Sequence, residues 1–313
     1  MTSSKLFFAD IASAKLTVHR LYPKAKQVYF IEHSYDNLVA LVDETYALRF
    51  PRNEAALARS YYERNVLQNL TGIRGVSVPQ VLNEYTQPPC LVTNFLHGVH
   101  LTSAELRLWP QALQMELGEK VAHFAYQMHS LLPLEEARKL RQELKLDEQK
   151  EEPWGIYFAK VFSEHLPNAE QDTVARQYYD EWLHLQMNPE VVLHDDLHSE
   201  NMLFQNMHLT GILDFGDTNI GSPEQELRQL YRINDAVLEA AVKTYERLSG
   251  LRLNVRAIKV WAILQELAVY IEHYNAGEFS HAAFIRTCHN LNRWHATDIW
   301  GKGLIANNVA SRQ

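Results

Sequence analysis

"VVLHDDLHSENMLF", Val191 to Phe204, decides how the chain is read. His194 and His198 stand four apart, the spacing at which one helical face offers two imidazoles to zinc, and a zinc hydrolase of that kind also needs a glutamate directly after the first histidine. Asp195 occupies that place, and the apolar "VVL" and "MLF" on either side predict two short strands with a loop between them. A loop would not hold the two rings as a helix does. The competing reading takes Asp196 and Asn201, five apart, as the carboxylate that orients a hydroxyl and the amide that binds a metal ion. "LTGILDFGD", Leu209 to Asp217, follows as a short apolar strand ending on Asp214, Phe215 and Gly216. Phosphoryl transfer from a nucleotide needs a carboxylate to position the acceptor and oxygen ligands to hold magnesium on the phosphates. Asp196, Asn201 and Asp214 supply that set.

Joined as H-x-D-L-H-x-x-N, a strand, and then L-D-F-G-D, these elements resemble the "HGDLHxxN" and "IDFG" elements of the aminoglycoside phosphotransferase and choline kinase family. The resemblance runs from the "NLVALV" hairpin to the helix after "GSP". It implies an α+β, bilobal protein-kinase-like fold, with a small antiparallel-sheet N-lobe and a larger, mainly helical C-lobe. It also implies ATP or GTP with Mg2+ as cofactors, Asp196 as the catalytic carboxylate, and Asn201 and Asp214 as metal ligands.

The same resemblance orders the rest of the chain. Arg49 in "ALRFP" stands where kinases place a lysine, and its guanidinium can grip phosphate while staying charged. Glu63 in "YYERNVL" resembles the helix glutamate that orients that cation, with Glu54 as the fallback. "EHSYDNLVALV" takes the position of the glycine-rich hairpin but contains no glycine, which leaves Ser34, Tyr35 and Asn37 to meet the phosphates. "LVTNFLHG" resembles the hinge: backbone groups from Asn94 to Leu96 would meet the purine, and Thr93 would line the back of its pocket. His129, in "MHSLL", resembles a structural histidine of the family. Glu226 in "GSPEQEL" stands where the family commonly has aspartate, and the longer carboxylate is expected to support the loop differently.

For the acceptor, the resemblance points to acidic residues on the second-lobe helices. Asp217, Asp235, Glu239, Glu266 and Glu272 are the candidates, with Trp261 and Tyr270 as walls. Each also has a plainer reading, since Glu239 stands four before Lys243 and Trp261 fits an apolar stripe. The acceptor class therefore stays open between an aminoglycoside-like cation and a metabolic alcohol such as choline, homoserine or a sugar. A nucleotide-binding module without catalysis is the reading from another class.

Organisation along the chain agrees with two lobes. "VYFI", "NLVALV" and "TYALRF" predict an antiparallel meander. A helix over "NEAALARSYYERNVLQNL" follows, with Leu57, Tyr61, Val66, Leu67 and Leu70 as its apolar stripe and Gly72 as terminator. Two more strands come next, with Pro79 placing the first at an edge or making it the strand's end. The pattern turns helical after Leu96, so the lobes are expected at 1–96 and 97–313. Leu117, Val121, Phe124, Met128 and Leu131 form one stripe. "LEEARKLRQELKLDEQKEE" reads as a solvated helix or insert, and "ELRQLYRI" as an amphipathic helix.

Composition bounds the alternatives. The chain has 313 residues, 46% hydrophobic and 22% charged, which suits a folded protein of two domains. A formal charge of -8 without a dense Lys/Arg block argues against nucleic acid as the main partner. Two distant thiols, Cys90 and Cys288, fit a reducing, cytoplasmic setting rather than a stapled secreted domain. No apolar run is long enough to predict a membrane span or an export signal.

Overall fold

The structure, a computed structural model, describes residues 11–31, 36–146 and 154–304, so Ser34 and Tyr35 lie outside the described residues. Helix α1 (Ile11–Leu21) leads into β1 (Val28–Ile31), β2 (Asn37–Val42) and β3 (Tyr46–Pro51). Helix α2 (Glu54–Asn69) follows, then β4 (Val81–Thr86) and β5 (Pro89–Asn94). The five strands form one antiparallel sheet in the order β1-β2-β3-β5-β4. Alternation along β2 buries Leu38, Ala40 and Val42 against Leu48, Phe50 and Val92, and Ala14 and Val18 of α1 close this small core. The sequence reading had no helix at α1. β4 is an edge strand with Pro79 just ahead of it.

Asn53 starts α2 by accepting a hydrogen bond from the Ala56 amide at 2.8 Å. The helix stops at Leu70, whose amide reaches back to Leu67, and not at Gly72 as expected. Its core face holds Tyr62, Val66, Leu67 and Leu70, whereas Tyr61 is only half-buried.

Beyond Asn94 the chain is mainly helical. Helices α3 (Ser103–Arg107), α4 (Gln111–Leu131), α5 (Leu134–Glu143), α6 (Trp154–Val161) and α7 (Ala169–Leu183) precede β6 (Val191–Leu193). Then come β7 (Met202–Gln205), β8 (His208–Ile212), β9 (Asn219–Gly221) and α8 (Pro223–Leu227). A 3-10 turn (Arg228–Arg232) leads to α9 (Asp235–Ser249), α10 (Val255–Ala276) and α11 (Ala282–His295). β6 pairs with β9 and β7 with β8, which frames the loop of the opening stretch. "ELRQLYRI" is thus the end of one helix plus a 3-10 turn, because every residue from Glu224 to Arg232 is buried and no solvent face remains to impose amphipathic spacing. Leu131 is 39% exposed, outside the stripe of α4. The α5 segment does more than carry charge: Arg141 donates to the Thr218 carbonyl at 2.8 Å and lies over the Tyr62 ring.

The lobes meet along the β7–β8 hairpin. Val99 and Phe204 exchange backbone hydrogen bonds at 2.9 Å, and Ser77 bridges to Gly211. No described helix is long and apolar enough to cross a membrane. Helices α4 and α9 approach each other at Gly118, where an added Cβ would stand 2.2 Å from the Val237 carbonyl oxygen. Gly118→Ala is expected to lower stability by about 2 kcal/mol through overpacking, read as a lower urea midpoint at unchanged slope; an unchanged midpoint would contradict this packing.

Candidate active site

The loop from His194 to Asn201 hangs between β6 and β7 and is pinned from beneath by one buried carboxylate. Glu226, fully buried, accepts from the His194 amide at 2.7 Å and the Asp195 amide at 3.1 Å. His129 Nε2 stands 3.2 Å from the same carboxylate, and His129 Nδ1 contacts the Tyr245 hydroxyl at 2.7 Å. Burial works against ionisation of Glu226, but the His129 hydrogen bond and the charges and amide around it hold its carboxyl below the ordinary value. The imidazole of His194 takes the Asp196 amide on Nδ1 at 3.3 Å, so Nε2 is the nitrogen left to donate to the Leu213 carbonyl at 2.9 Å. That bond ties the loop to the residue before Asp214.

Asp196 is held on both sides. Asn201 Nδ2 donates to its Oδ2 at 2.9 Å and to its carbonyl at 3.0 Å, and His198 Nε2 stands 3.2 Å from the same Oδ2. His198 Nδ1 accepts from the Glu200 amide, so both histidines of the opening stretch are bound to the loop itself. A group of three or more metal-ligating His, Cys, Asp or Glu side chains is absent among the described residues, which removes the zinc reading. Burial raises the Asp196 carboxyl, yet the His198 hydrogen bond and the charges of His198, His194 and Arg228 outweigh it and keep the group well below its ordinary value. Asn201 spends its amide donors on Asp196, leaving its oxygen as the atom offered to a cation. This is the donor set magnesium takes, an amide oxygen and a carboxylate with the remaining positions left for phosphate and water.

Arg49 connects the lobes. Its Nη1 lies 2.5 Å from Glu63 Oε1 and its Nη2 3.0 Å from Asp214 Oδ1. Burial alone would lower its pKa, but the carboxylates of Glu63 and Asp214 outweigh that and hold the guanidinium above its ordinary value. Glu54, the alternative partner, lies at the other end of α2's first turns. Asp214 has a left-handed backbone, φ 62, and its carboxyl is lowered, burial being opposed first by Arg49. In the hairpin, Asn37 is buried and its Oδ1 has no hydrogen-bond partner. Asp36 ion-pairs with Arg59 of α2, which anchors the hairpin without a glycine. At the hinge, Thr93 is buried, the Asn94 amide donates to the Gln80 carbonyl and the Phe95 amide to the Thr45 carbonyl. Asn94 Oδ1 accepts from the Gln80 amide at 2.6 Å, so the half-buried Leu96 carries the backbone groups nearest the lobe junction that these bonds leave unspent.

A family model described as "Phosphotransferase enzyme family" matches residues 28–264. The chain belongs to that family. It is a nucleotide-dependent phosphotransferase with the bilobal, kinase-like fold, and a small-molecule kinase. Among solved structures, the GDP and kanamycin complex of APH(2")-IIIa is similar with TM-score 0.69 at 15% identity, over 95% of this chain and 99% of that one. ADP-bound aminoglycoside phosphotransferase APH(2'')-Ib gives TM-score 0.60 at 16% identity over 85% and 92%. The apoenzyme of macrolide 2'-phosphotransferase MphH from Brachybacterium faecium gives 0.62 at 20% identity over 90% and 98%. No curated protein sequence matches.

The acceptor candidates of this kinase are scattered. Asp217 is exposed beside Arg49 and acts on its charge. Asp235 is exposed but paired with Lys259 at 2.5 Å, and exposed Glu239 acts on that same lysine rather than pairing with Lys243. Glu272 is exposed on α10. Glu266, expected on the acceptor surface, is instead fully buried: Arg232 lies 2.5 Å away, and Thr287 and Asn290 donate to it at 2.5 and 3.2 Å. Its position on the inner face of α10 leaves it no path to an acceptor. Tyr270 is likewise core, and Trp261 is buried against Trp154, Phe158 and Trp182.

Sequence reasoning passed over Asp195. It replaces the glycine of "HGDLH" at a left-handed position, φ 64, which aspartate tolerates better than most residues. Its carboxylate is 2.6 Å from Arg228 Nη1 and also accepts from Gln225 at 2.9 Å and Asn219 at 3.2 Å. Arg228 in turn lies over the rings of Trp154 and Trp261. The signal available in the sequence was the acidic residue at a glycine position.

Glu226→Gln is expected to cost about 3 kcal/mol at pH 7, since buried donors lose a charged acceptor. Because the folded pKa is depressed, that stabilisation is fully present above the unfolded value and is lost as pH falls through the folded one. Urea melts should therefore find the gap between variant and wild type narrowing below about pH 4; a gap constant with pH would contradict the ionised carboxylate.

Proposed function

We propose that the protein transfers the terminal phosphoryl group of ATP or GTP to a hydroxyl of a small-molecule acceptor. The observation that carries this reading is Asp196, hydrogen-bonded by Asn201 and held ionised by His198 and the charges of His194 and Arg228, next to an amide oxygen and the Asp214 carboxylate. In this reading the nucleotide lies between the hinge near Leu96 and the Arg49 side chain, with Thr93, Asn94 and Asn37 around it. Asn201 and Asp214 would hold magnesium, which when bound would supply neutralisation of the phosphate charge. Asp196 accepts a hydrogen bond from the acceptor hydroxyl, aims its oxygen along the line of attack and takes its proton as the O–P bond forms. Arg49 holds phosphate, and Glu63 holds Arg49. A cytoplasmic setting supplies the nucleotide and agrees with the two buried free thiols, Cys90 and Cys288.

Two acceptor classes follow. An aminoglycoside-like cation is supported by the similarity to a kanamycin-bound enzyme and by exposed Asp217, Glu239 and Glu272. A metabolic alcohol is favoured by the neutralised carboxylates: Asp195, Asp235 and Glu266 each already hold a cation.

Magnesium-dependent consumption of ATP and of GTP, screened against aminoglycosides, amino alcohols and sugars, tests the reading. Asp196→Asn should lower the acceptor-stimulated rate by about a thousandfold while nucleotide still binds. Full activity in that variant, or nucleotide binding with no transfer and no slow hydrolysis in the wild type, would overturn it.

A further inference from the structure

The face of the second lobe beside the catalytic loop is basic, not acidic. Helix α3 lies against that loop, with His100 Nδ1 2.7 Å from the Glu200 carbonyl and Ser103 Oγ 3.2 Å from Ser199 Oγ. From α3, Arg107 donates to the Arg232 carbonyl at 2.8 Å; from α11, Arg293 donates to the same carbonyl at 3.1 Å. Two guanidinium groups thus share one oxygen. Glu266 pairs with Arg232, and its charge also reaches Arg286, exposed on α11, and Arg293, on which Asp235 acts as well; neither Arg286 nor Arg293 gains an ion pair from them. No carboxylate among the described residues forms an ion pair with Arg107, Arg286 or Arg293.

Hydrogen bonding to the end of the 3-10 turn explains part of this arrangement, since cations suit the terminal carbonyls of a helix. It does not explain the rest. Arg293 Nε is buried without a hydrogen-bond partner, and Arg286 serves no helix end. Such a concentration of like charge also costs free energy unless an anion completes it. His289 on the same helix responds to that concentration: burial, then the charges of Arg107 and Arg293, push its imidazole below its ordinary value. Helix α3 touches Ser199 of the catalytic loop through Ser103 and carries Arg107, so the basic face adjoins the phosphoryl-transfer loop.

We propose that Arg107, Arg286 and Arg293 receive an anionic group of the acceptor, a carboxylate or a phosphate, and that the protein phosphorylates a hydroxyl of such an acid. The proposal rests on phosphoryl transfer at Asp196 and deepens it. The transfer is balanced as before: the acceptor oxygen bonds to the terminal phosphorus, the bond to the leaving nucleoside diphosphate breaks, and the hydroxyl proton goes to Asp196. Guanidinium groups bind carboxylate and phosphate bidentately, and they repel the ammonium groups of a polycationic acceptor.

The test measures Mg2+-dependent nucleotide consumption with hydroxycarboxylates, sugar phosphates and aminoglycosides as separate arms. Stimulation is expected in one anionic arm, and which arm responds separates carboxylate from phosphate. In Arg286→Glu, the KM for that acceptor should rise about tenfold or more while the KM for nucleotide does not move; Arg286→Lys should restore most of the loss. No stimulation by either anionic arm overturns the proposal whatever the aminoglycosides do, and so does an Arg286→Glu variant with an unchanged acceptor KM. Turnover that survives Asp196→Asn would instead overturn the underlying assignment of the transfer site.

Discussion

One buried carboxylate carries the geometry of this site. Glu226 takes the amides of His194 and Asp195 and faces His129, so helices α4 and α8 and the catalytic loop are fixed to a common point. A charged acceptor satisfying buried donors in a low-dielectric interior is worth far more than an exposed ion pair. From that anchor the positions of the reactive groups follow in sequence. His194 spans from the pinned backbone to the Leu213 carbonyl, which sets Asp214; Asn201 closes the loop on Asp196. The glutamate stands where the family commonly has the shorter aspartate, and it still reaches two successive amides.

Charge is distributed so that the reactive carboxylates stay ionised without burying an unpaired anion. Arg49 faces Glu63 and Asp214 together, and the second acidic residue of the loop, Asp195, is neutralised by Arg228 from below. Asp196 is thereby left as the loop's aspartate with its solvent-facing side unpaired by any arginine. Beside the loop, Glu266 is consumed inside the core by Arg232, while Arg107 and Arg293 converge on the Arg232 carbonyl.

What was legible in the sequence was local. The short strands around the loop and the meander of the first lobe each depend on a few neighbouring residues, and they stand as read. Glu226 was visible only as a departure from a family pattern, because its partners lie 32 and 97 positions away. The acidic acceptor candidates misled for a related reason. Spacing along α10 does not reveal that Glu266 turns inward to Arg232, nor that Asp235 meets Lys259 across helices. The 3-10 turn was missed because tertiary packing, not periodicity, decides it, since it is buried all round; α1 did carry a helical stripe, Ile11, Ala14, Val18 and Leu21, which packs on the first-lobe core.

The central claim is that Asn201 and Asp214 form, with nucleotide phosphates, a magnesium site facing Asp196. Calorimetric titration of ATP and of GTP, with and without Mg2+, into the wild type and Asp214→Ala tests it most directly. The account predicts tight nucleotide binding that needs Mg2+ in the wild type and loses its Mg2+ dependence in the variant. Binding equally responsive to Mg2+ in both proteins would contradict it.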